Sequence, residues 1–426
     1  MTFWAQLRRL IFRCIGPKSD NKAVRDKKRS EKLDLNAPGL GDRLLWRMRN
    51  LVLQRPGNGA DWAPGELVYV AGLFSTASGI GQSARACADA LEVSGVNVIR
   101  IDLSAGFGQV DLHAPMGALL SHRLSQCPRG GTLIVHLNAP ELERALFLCR
   151  NWRGAGRRLI AAWVWELPIA PASWDKAVDL FDELWVPSTF TQASMKSLCG
   201  KPIRVVPYYL GDLSGFRAAT GSHRGVRCVA FADGRSSFER KNVLGAVRAF
   251  RQAHLPEGSM LTVKTRNLYL SEEFRLHISQ AVESDERINI IDESMPRSTL
   301  LQLVADHDIL LSLHRAEGFG LPIAEAMAMG KVVIATGWSG NMDFMDETCS
   351  VPVPYELVEV ADKYNVYTGH TGAVWADPDV GAAAAALTQI ADDPALRLRL
   401  GETARSKMKS LSSGEHYLAA LRPNKS

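Results

Sequence analysis

The feature that most limits the fold is a pattern that runs along the chain twice. Short apolar runs alternate with helical segments, pause in a glycine-bearing stretch at 211–225, and begin again. In the first series, runs at 67–71, 97–101, 132–136, 159–164 and 184–186 read as strands, with helices at 82–94, 140–150 and 189–198. Pro202 to Leu210 reads as the last strand and the exit from this half. In the second series, strands are expected at 227–231, 260–264, 288–291, 309–313 and 331–335. Helices are expected there at 242–253, 272–283, 297–306, 322–329 and 380–390. Strands this short and apolar are buried on both faces, and the helices between them make the crossovers of a parallel sheet. The expectation is an α/β chain of two doubly wound domains. A ligand would lie where the carboxyl ends of both sheets converge. The 426 residues also exceed the ~250–300 at which one core stops growing.

Composition adds limits rather than an identity. The chain is 46% hydrophobic and 22% charged, as ordinary globular proteins are. Seven cysteines, Cys14, Cys87, Cys127, Cys149, Cys199, Cys228 and Cys349, include no CxxC pair, so neither a disulfide framework nor a cysteine zinc site is expected. A reducing, cytoplasmic setting fits. Residues 1–50 hold 13 Lys/Arg against 5 Asp/Glu, which leaves the rest of a +5 chain slightly acidic, at −3. Positive charge confined to one arm argues against nucleic acid as a partner. The start, MTFWAQLRRLIF, is too short and too charged for a secretory signal or a membrane span. Residues 1–14 instead suit an anionic membrane surface, with Trp4 and Phe3 in the interface, or a helix packed on its own domain. The expected organisation is a basic arm at 1–60, domains at 61–210 and 226–410 joined by a linker at 211–225, and a C-terminal helix and tail at 411–426.

One string concentrates the chemistry. Glu317-Gly318-Phe319-Gly320-Leu321-Pro322 follows the strand at 309–313 and opens the helix that carries Glu325. Pro322 suits a first helical turn. The N–H groups of Gly320, Leu321 and their neighbours would point outward at the helix's positive end, a seat for a phosphate or a sugar oxygen. Gly318 and Gly320 let backbone approach a ligand. Glu325 suits ribose hydroxyls and Glu317 suits sugar hydroxyls. Each residue alone is equally a glycine-bearing turn or a favourable first-turn charge.

The string resembles the Glu-x7-Glu motif of retaining glycosyltransferases of the GT-B fold, the family-four group, with Glu317 and Glu325 at its two glutamates. Lys331–Thr336, the loop Gly340-Asn341-Met342-Asp343, and Phe238-Glu239-Arg240-Lys241-Asn242 also resemble that family. In the N-terminal half, Ser78-Gly79-Ile80-Gly81-Gln82-Ser83-Ala84-Arg85 is similar to the family's glycine-bearing loop before the first helix. Trp163-Val164-Trp165-Glu166-Leu167-Pro168 and Leu184-Trp185-Val186-Pro187-Ser188 are similar to stretches of bacterial polysaccharide-type members. The resemblance implies two Rossmann-like domains facing a cleft, with a nucleotide-diphosphate sugar on the C-terminal one. It implies that Arg240 and Lys241 bind the donor diphosphate, with Lys264 a weaker candidate for the same cluster, and that Gly79 and Gly81 lie near phosphates and acceptor. It implies that His136, closing the strand at 132–136, stands near the reacting sugar, although a satisfied structural histidine is an equal reading. Asn341 belongs to the implied substrate-binding set.

On this reading a hexose passes with retention to a saccharide or lipid-linked saccharide acceptor, in polysaccharide biosynthesis at the inner membrane face. Similarity of the C-terminal half leans towards GDP-mannose over a UDP-hexose. Glu317 would position the sugar rather than act as nucleophile, and the leaving phosphate oxygen would take the acceptor's proton. No cofactor is expected, and no aspartate pair has metal spacing. Three alternatives stand. Gly79-Ile80-Gly81-Gln82-Ser83-Ala84 fits the GxGxxA fingerprint of a nicotinamide oxidoreductase, with Asp102 as its ribose acid, although Gly72 to Ser78 separate it from the strand. A non-catalytic sugar-nucleotide or glycan-binding protein and a sugar-nucleotide epimerase are the others.

Overall fold

The computed structural model describes residues 62–109, 130–148, 158–217, 224–234, 236–282, 285–362, 367 and 372–422. The basic arm and its membrane-facing start, together with Cys14, Cys127 and Cys149, lie outside the described residues. So do residues 218–223 of the expected linker and the tail from 423. Among the described residues no helix is long and apolar enough to cross a membrane. The described cysteines, Cys87, Cys199, Cys228 and Cys349, are free and buried.

The repeated pattern folds into two parallel sheets. In the first, the described strands run in the order β2-β1-β3-β4-β5-β6. They are β1 (Val68–Gly72), β2 (Val98–Asp102), β3 (Thr132–His136), β4 (Arg158–Ala162), β5 (Glu183–Val186) and β6 (Ile203–Val205). In the second, the order is β12-β11-β10-β7-β8-β9. These strands are β7 (Arg227–Phe231), β8 (Met260–Thr265), β9 (Ile288–Asp292), β10 (Ile309–Ser312), β11 (Val332–Thr336) and β12 (Val351–Val353). Each order reverses once, so each sheet has a switch point at which strand ends open a crevice. The two sheets with their helices form the expected two-domain Rossmann-like α/β fold.

Helices cover both faces. The first half carries α1 (Gly79–Val93), α2 (Ala139–Leu148), α3 (Asp175–Val178) and α4 (Thr189–Met195). The second carries α5 (Phe238–Lys241), α6 (Val243–Gln252), α7 (Glu272–Val282), α8 (Arg297–Ala305), α9 (Leu321–Ala328), α10 (Val380–Asp392) and α11 (Pro394–Met408). Every residue of β1, β3 and β11 is buried, as expected for strands covered on both faces. Two apolar clusters flank each sheet. One includes Tyr69, Leu133, Leu159 and Trp163, and its counterpart in the second half includes Val247, Leu261, Ile309 and Ile334.

The elements β12, α3, α5 and α11 lie outside the expected pattern, and two further features depart from it more widely. Between β12 and α10, β13 (Tyr355–Glu359) pairs antiparallel with β14 (Val374–Pro378) as the two strands of a hairpin. Its Trp375 and Ala373, with Tyr367, join the apolar cluster of the first half. The last described helix, α12 (Glu415–Leu421), does not stay with the second sheet. It returns to the first half, where Tyr417 and Leu421 are buried against Leu91 and Trp185. The carbonyl of Leu421 accepts from Arg158 at 3.2 Å.

Candidate active site between the two sheets

Local structure around the glutamate string follows from its glycines. Gly320 caps α9 at φ +89°, a conformation that only glycine adopts without strain, and Pro322 lies in the first turn behind it. Phe319 is buried and anchors the loop between Tyr208 and Phe344, at 4.9 and 5.1 Å between ring centroids. The next loop clamps Glu317 from below. Ser339 Oγ accepts from the Glu317 amide at 2.8 Å, and the Gly340 amide donates to the Glu317 carbonyl at 2.9 Å. A Cβ on Gly340 would lie 2.3 Å from the Gly318 oxygen. Ser339 sits at φ +80°, ψ −154°, a region nearly confined to glycine. Strain of this kind, about 1–3 kcal/mol, persists where the surroundings over-determine a site.

Arg240 and Lys241 reach the same point. The short helix α5 carries both, capped by Ser237 and ended by Asn242 in the left-handed region. Lys241 Nζ is 2.5 Å from Glu317 Oε1, and Arg240 Nη1 is 3.2 Å from the same oxygen. Arg240 also donates to the Ala316 carbonyl at 2.7 Å and to Ser236 Oγ at 2.6 Å. Burial would raise the pKa of Glu317, but Lys241 and Arg240 outweigh burial and hold it at about 2. Burial would lower that of Arg240. Tyr367, Glu317 and Glu166 overcome it and keep the guanidinium charged. Glu317 therefore acts as a fixed anion that orients two cations.

Glu325, one turn into α9, is buried and paired with Arg297 Nη2 at 2.6 Å. His136 ends β3 and is 2% exposed. Its Nδ1 lies 2.6 Å from Ser83 Oγ, and its Nε2 has no partner. Burial lowers its pKa to about 3, so the ring is neutral near pH 7. Ser83, His136 and Tyr208 line one cavity, and the Tyr208 ring touches Phe319.

Other expected residues are placed differently. Gly79 and Gly81 stand inside the first turn of α1, capped by Ser78, rather than in a loop. A Cβ on Gly81 would lie 2.5 Å from the Thr76 carbonyl oxygen, so this glycine lets the helix press on the loop before it. The Lys264 ammonium is held by the carbonyls of Thr265 and Glu293, at 2.6 and 2.5 Å, and does not join Arg240 and Lys241. Asn341 is fully buried. Its amide donates to the Thr336 carbonyl at 3.0 Å, and its Oδ1 lies 3.0 Å from His314 Nε2. It shapes the loop from inside. Asp102, the ribose acid of the oxidoreductase alternative, accepts from Ser75 Oγ and Ser104 Oγ, each at 2.6 Å. These bonds tie Asp102 into its own loop.

Several residues of the site were not visible as such in the sequence. His314, Arg297, Ser188 and Tyr367 carried no separate signal. Glu166 did, as the one charge in an aromatic run, yet its reach is decided by the tertiary fold. The two halves meet here directly. Ser188 Oγ donates to the Gly318 carbonyl at 2.6 Å, and Thr191 Oγ1 donates to it at 3.2 Å. Asp343 accepts from the Thr189 amide at 2.7 Å, and Arg266 donates to the Ala77 carbonyl at 2.7 Å.

This geometry, with cations and a clamped carboxylate at the mouth of a glycine-capped helix, agrees with the sequence comparison. Residues 270–407 match the family model for glycosyl transferases group 1. That stretch holds both glutamates and the whole of α9. Among curated proteins none matches the sequence. Solved structures similar to this chain share its fold. Sucrose-phosphate synthase from Thermosynechococcus elongatus has a TM-score of 0.58 at 15% identity, over 83% of this chain and 97% of that one. HepE from Anabaena, crystallised with UDP-glucose, has a TM-score of 0.58 at 12% identity, over 84% and 98%. A glycosyltransferase from Rickettsia africae has a TM-score of 0.54 at 16% identity, over 83% and 95%. The chain spans about half, 54%, of the length of TarM from S. aureus, which it matches at 11% identity over 68% of its own length with a TM-score of 0.48. The architecture is the GT-B fold, two Rossmann-like domains face to face.

Proposed function

We propose that this chain is a glycosyltransferase that takes a sugar from a nucleotide-diphosphate donor. The observation that carries the reading is the convergence of Arg240, Lys241 and Glu317 beside the glycine-capped start of α9. Two fixed cations next to a helix N-terminus suit a leaving diphosphate, because their charge is already oriented when the bond breaks. The match of residues 270–407 to group 1 glycosyl transferases supports it.

In the proposed reaction the diphosphate lies against α9 and the Arg240–Lys241 pair. Its ribose meets Glu325, which exchanges part of its contact with Arg297 for the vicinal hydroxyls. Glu317 stays ionised and holds both cations, so it positions rather than attacks. Departure of the diphosphate leaves an oxocarbenium-like centre. The acceptor hydroxyl enters from the same face and gives its proton to the leaving phosphate oxygen. Retention, a hexose (mannose among the candidates), and a saccharide or lipid-linked acceptor are the finer parts of the proposal. They rest on the resemblance to the family-four group. A peripheral place on the inner membrane face belongs with them and rests on the basic arm.

A thermal-shift screen of UDP, GDP, ADP and their sugars tests the donor class. Binding at 100 times Kd stabilises by ~2.7 kcal/mol. A shift with one nucleotide series, abolished in Lys241→Ala, is expected. No shift with any of them overturns the proposal.

A further inference from the structure

Glu166 is held on a rigid platform. β4 ends at Ala162, and the chain turns through Trp163 and Trp165, both buried. Trp163 meets Trp174 and Phe181 edge-on at 5.3 and 5.1 Å, and Trp165 meets Trp174 at 5.1 Å. The Trp165 indole donates to the Ile169 carbonyl at 2.8 Å, and the Val164 amide donates to Asn138 Oδ1 at 2.9 Å. Packing fixes the loop without help from Glu166, whose side chain is 22% exposed. Its carboxylate crosses to the other half and lies 3.7 Å from Arg240 Nη2. The Tyr367 ring lies on the hairpin side, edge-on to Trp165 at 5.6 Å.

Two contrasts define what this carboxylate can do. Glu317 shares its half with Arg240, is clamped through its backbone, and approaches to 3.2 Å. Glu166 comes from the other half, and at 3.7 Å it makes a charge contact without a hydrogen bond. The buried Arg240 Nε, meanwhile, has no hydrogen-bond partner. With both carboxylates present, the charges of Arg240 and Lys241 are balanced before any ligand arrives. A diphosphate that takes Arg240 must displace a carboxylate, and Glu166 is the one not locked in place.

We propose that Glu166 competes with the diphosphate for Arg240, and that its return to the guanidinium expels the nucleoside diphosphate after transfer. This rests on the donor-site reading above and assigns it a product-release residue. A unit charge a few ångströms from the phosphates of a partly exposed cleft is worth about tenfold in affinity.

Calorimetric titration of UDP and GDP into wild type and Glu166→Gln decides the matter, with uridine and guanosine as uncharged controls. Competition requires that Glu166→Gln bind the preferred diphosphate about tenfold tighter and release it more slowly, with nucleoside binding unchanged. A residue that merely braces Arg240 gives the opposite sign. Equal or weaker diphosphate binding by Glu166→Gln therefore overturns the inference. Glu166→Asp, which keeps the charge but shortens its reach, should fall between the two, and it supplies the same test if the glutamine variant does not fold. If wild type binds neither diphosphate, the donor-site reading itself fails, a result distinct from failure of the Glu166 role.

Discussion

The carbonyl oxygen of Gly318 lies 2.6 Å from the hydroxyl of Ser188, a residue 130 positions earlier in the chain. The glycine that follows the first glutamate is therefore a point of contact between the halves. A Cβ there would stand 2.4 Å from Val164 Cγ2 and 3.2 Å from the Trp165 carbonyl oxygen. Gly318→Ala should cost about 1–3 kcal/mol of stability by overpacking. Val164→Ala removes the nearest obstacle, so the double variant should recover most of that loss. Denaturant titrations of the four proteins in the cycle give the coupling. Additive losses would place the strain elsewhere.

Ser339 offers a test of strain against bonding. Ser339→Ala loses the hydrogen bond to the Glu317 amide and keeps the unfavourable φ of +80°. Ser339→Gly loses the same bond but releases about 1–3 kcal/mol of backbone strain. The glycine variant should be the more stable of the two by about that amount, measured as the difference in unfolding free energy. Wild type should be close to the glycine variant.

The acid limb of stability should carry the signature of Glu317. Its pKa is held at about 2 in the folded protein against an ordinary 4.5. The unfolded chain therefore binds the proton first. The ionised side chain contributes its full stabilisation above pH 4.5 and loses it as pH falls towards 2. The gap in unfolding midpoint between wild type and Glu317→Gln should be constant above that window and shrink within it. A gap that does not change with pH would mean the glutamate acts by shape alone.

Two lysines should separate cleanly. Lys241→Met removes a charge beside the proposed diphosphate and should weaken nucleoside-diphosphate binding by tenfold or more, as loss of a charged hydrogen bond of about 1.5–3 kcal/mol implies. Lys264→Met leaves the Thr265 and Glu293 carbonyls without their donor. It should lower stability by about 1–3 kcal/mol while changing nucleotide affinity less than twofold. Calorimetry and thermal unfolding on both variants suffice.

Much of this was legible in the sequence, for reasons that can be named. Fully buried strands such as Thr132–His136 and Val332–Thr336 are short unbroken apolar runs, and helices must fill the intervals. The Glu317–Glu325 string declared its own local geometry, because Gly320 and Pro322 leave few alternatives at a helix start. Long-range matters were not legible. The reach of Glu166 to Arg240 spans two halves and follows no spacing rule. Lys264 ends a strand as a ligand-binding lysine would, and its bond to the Glu293 carbonyl follows no spacing rule. Strand β13 of the hairpin has mostly exposed residues and so lacked an apolar run. α11 was missed: Asp393 caps it and Pro394 opens it, but the charged sequence that follows has little apolar periodicity.

The course of α12 has a consequence for biogenesis. Leu91 and Trp185 of the first half are covered by Tyr417 and Leu421, which are made only after the second half. The first half must wait, with part of its apolar surface uncovered, until the second half has been made. A nascent chain stalled before residue 415 should therefore expose that surface to chaperones, and removing α12 should harm the half to which it is not adjacent in sequence.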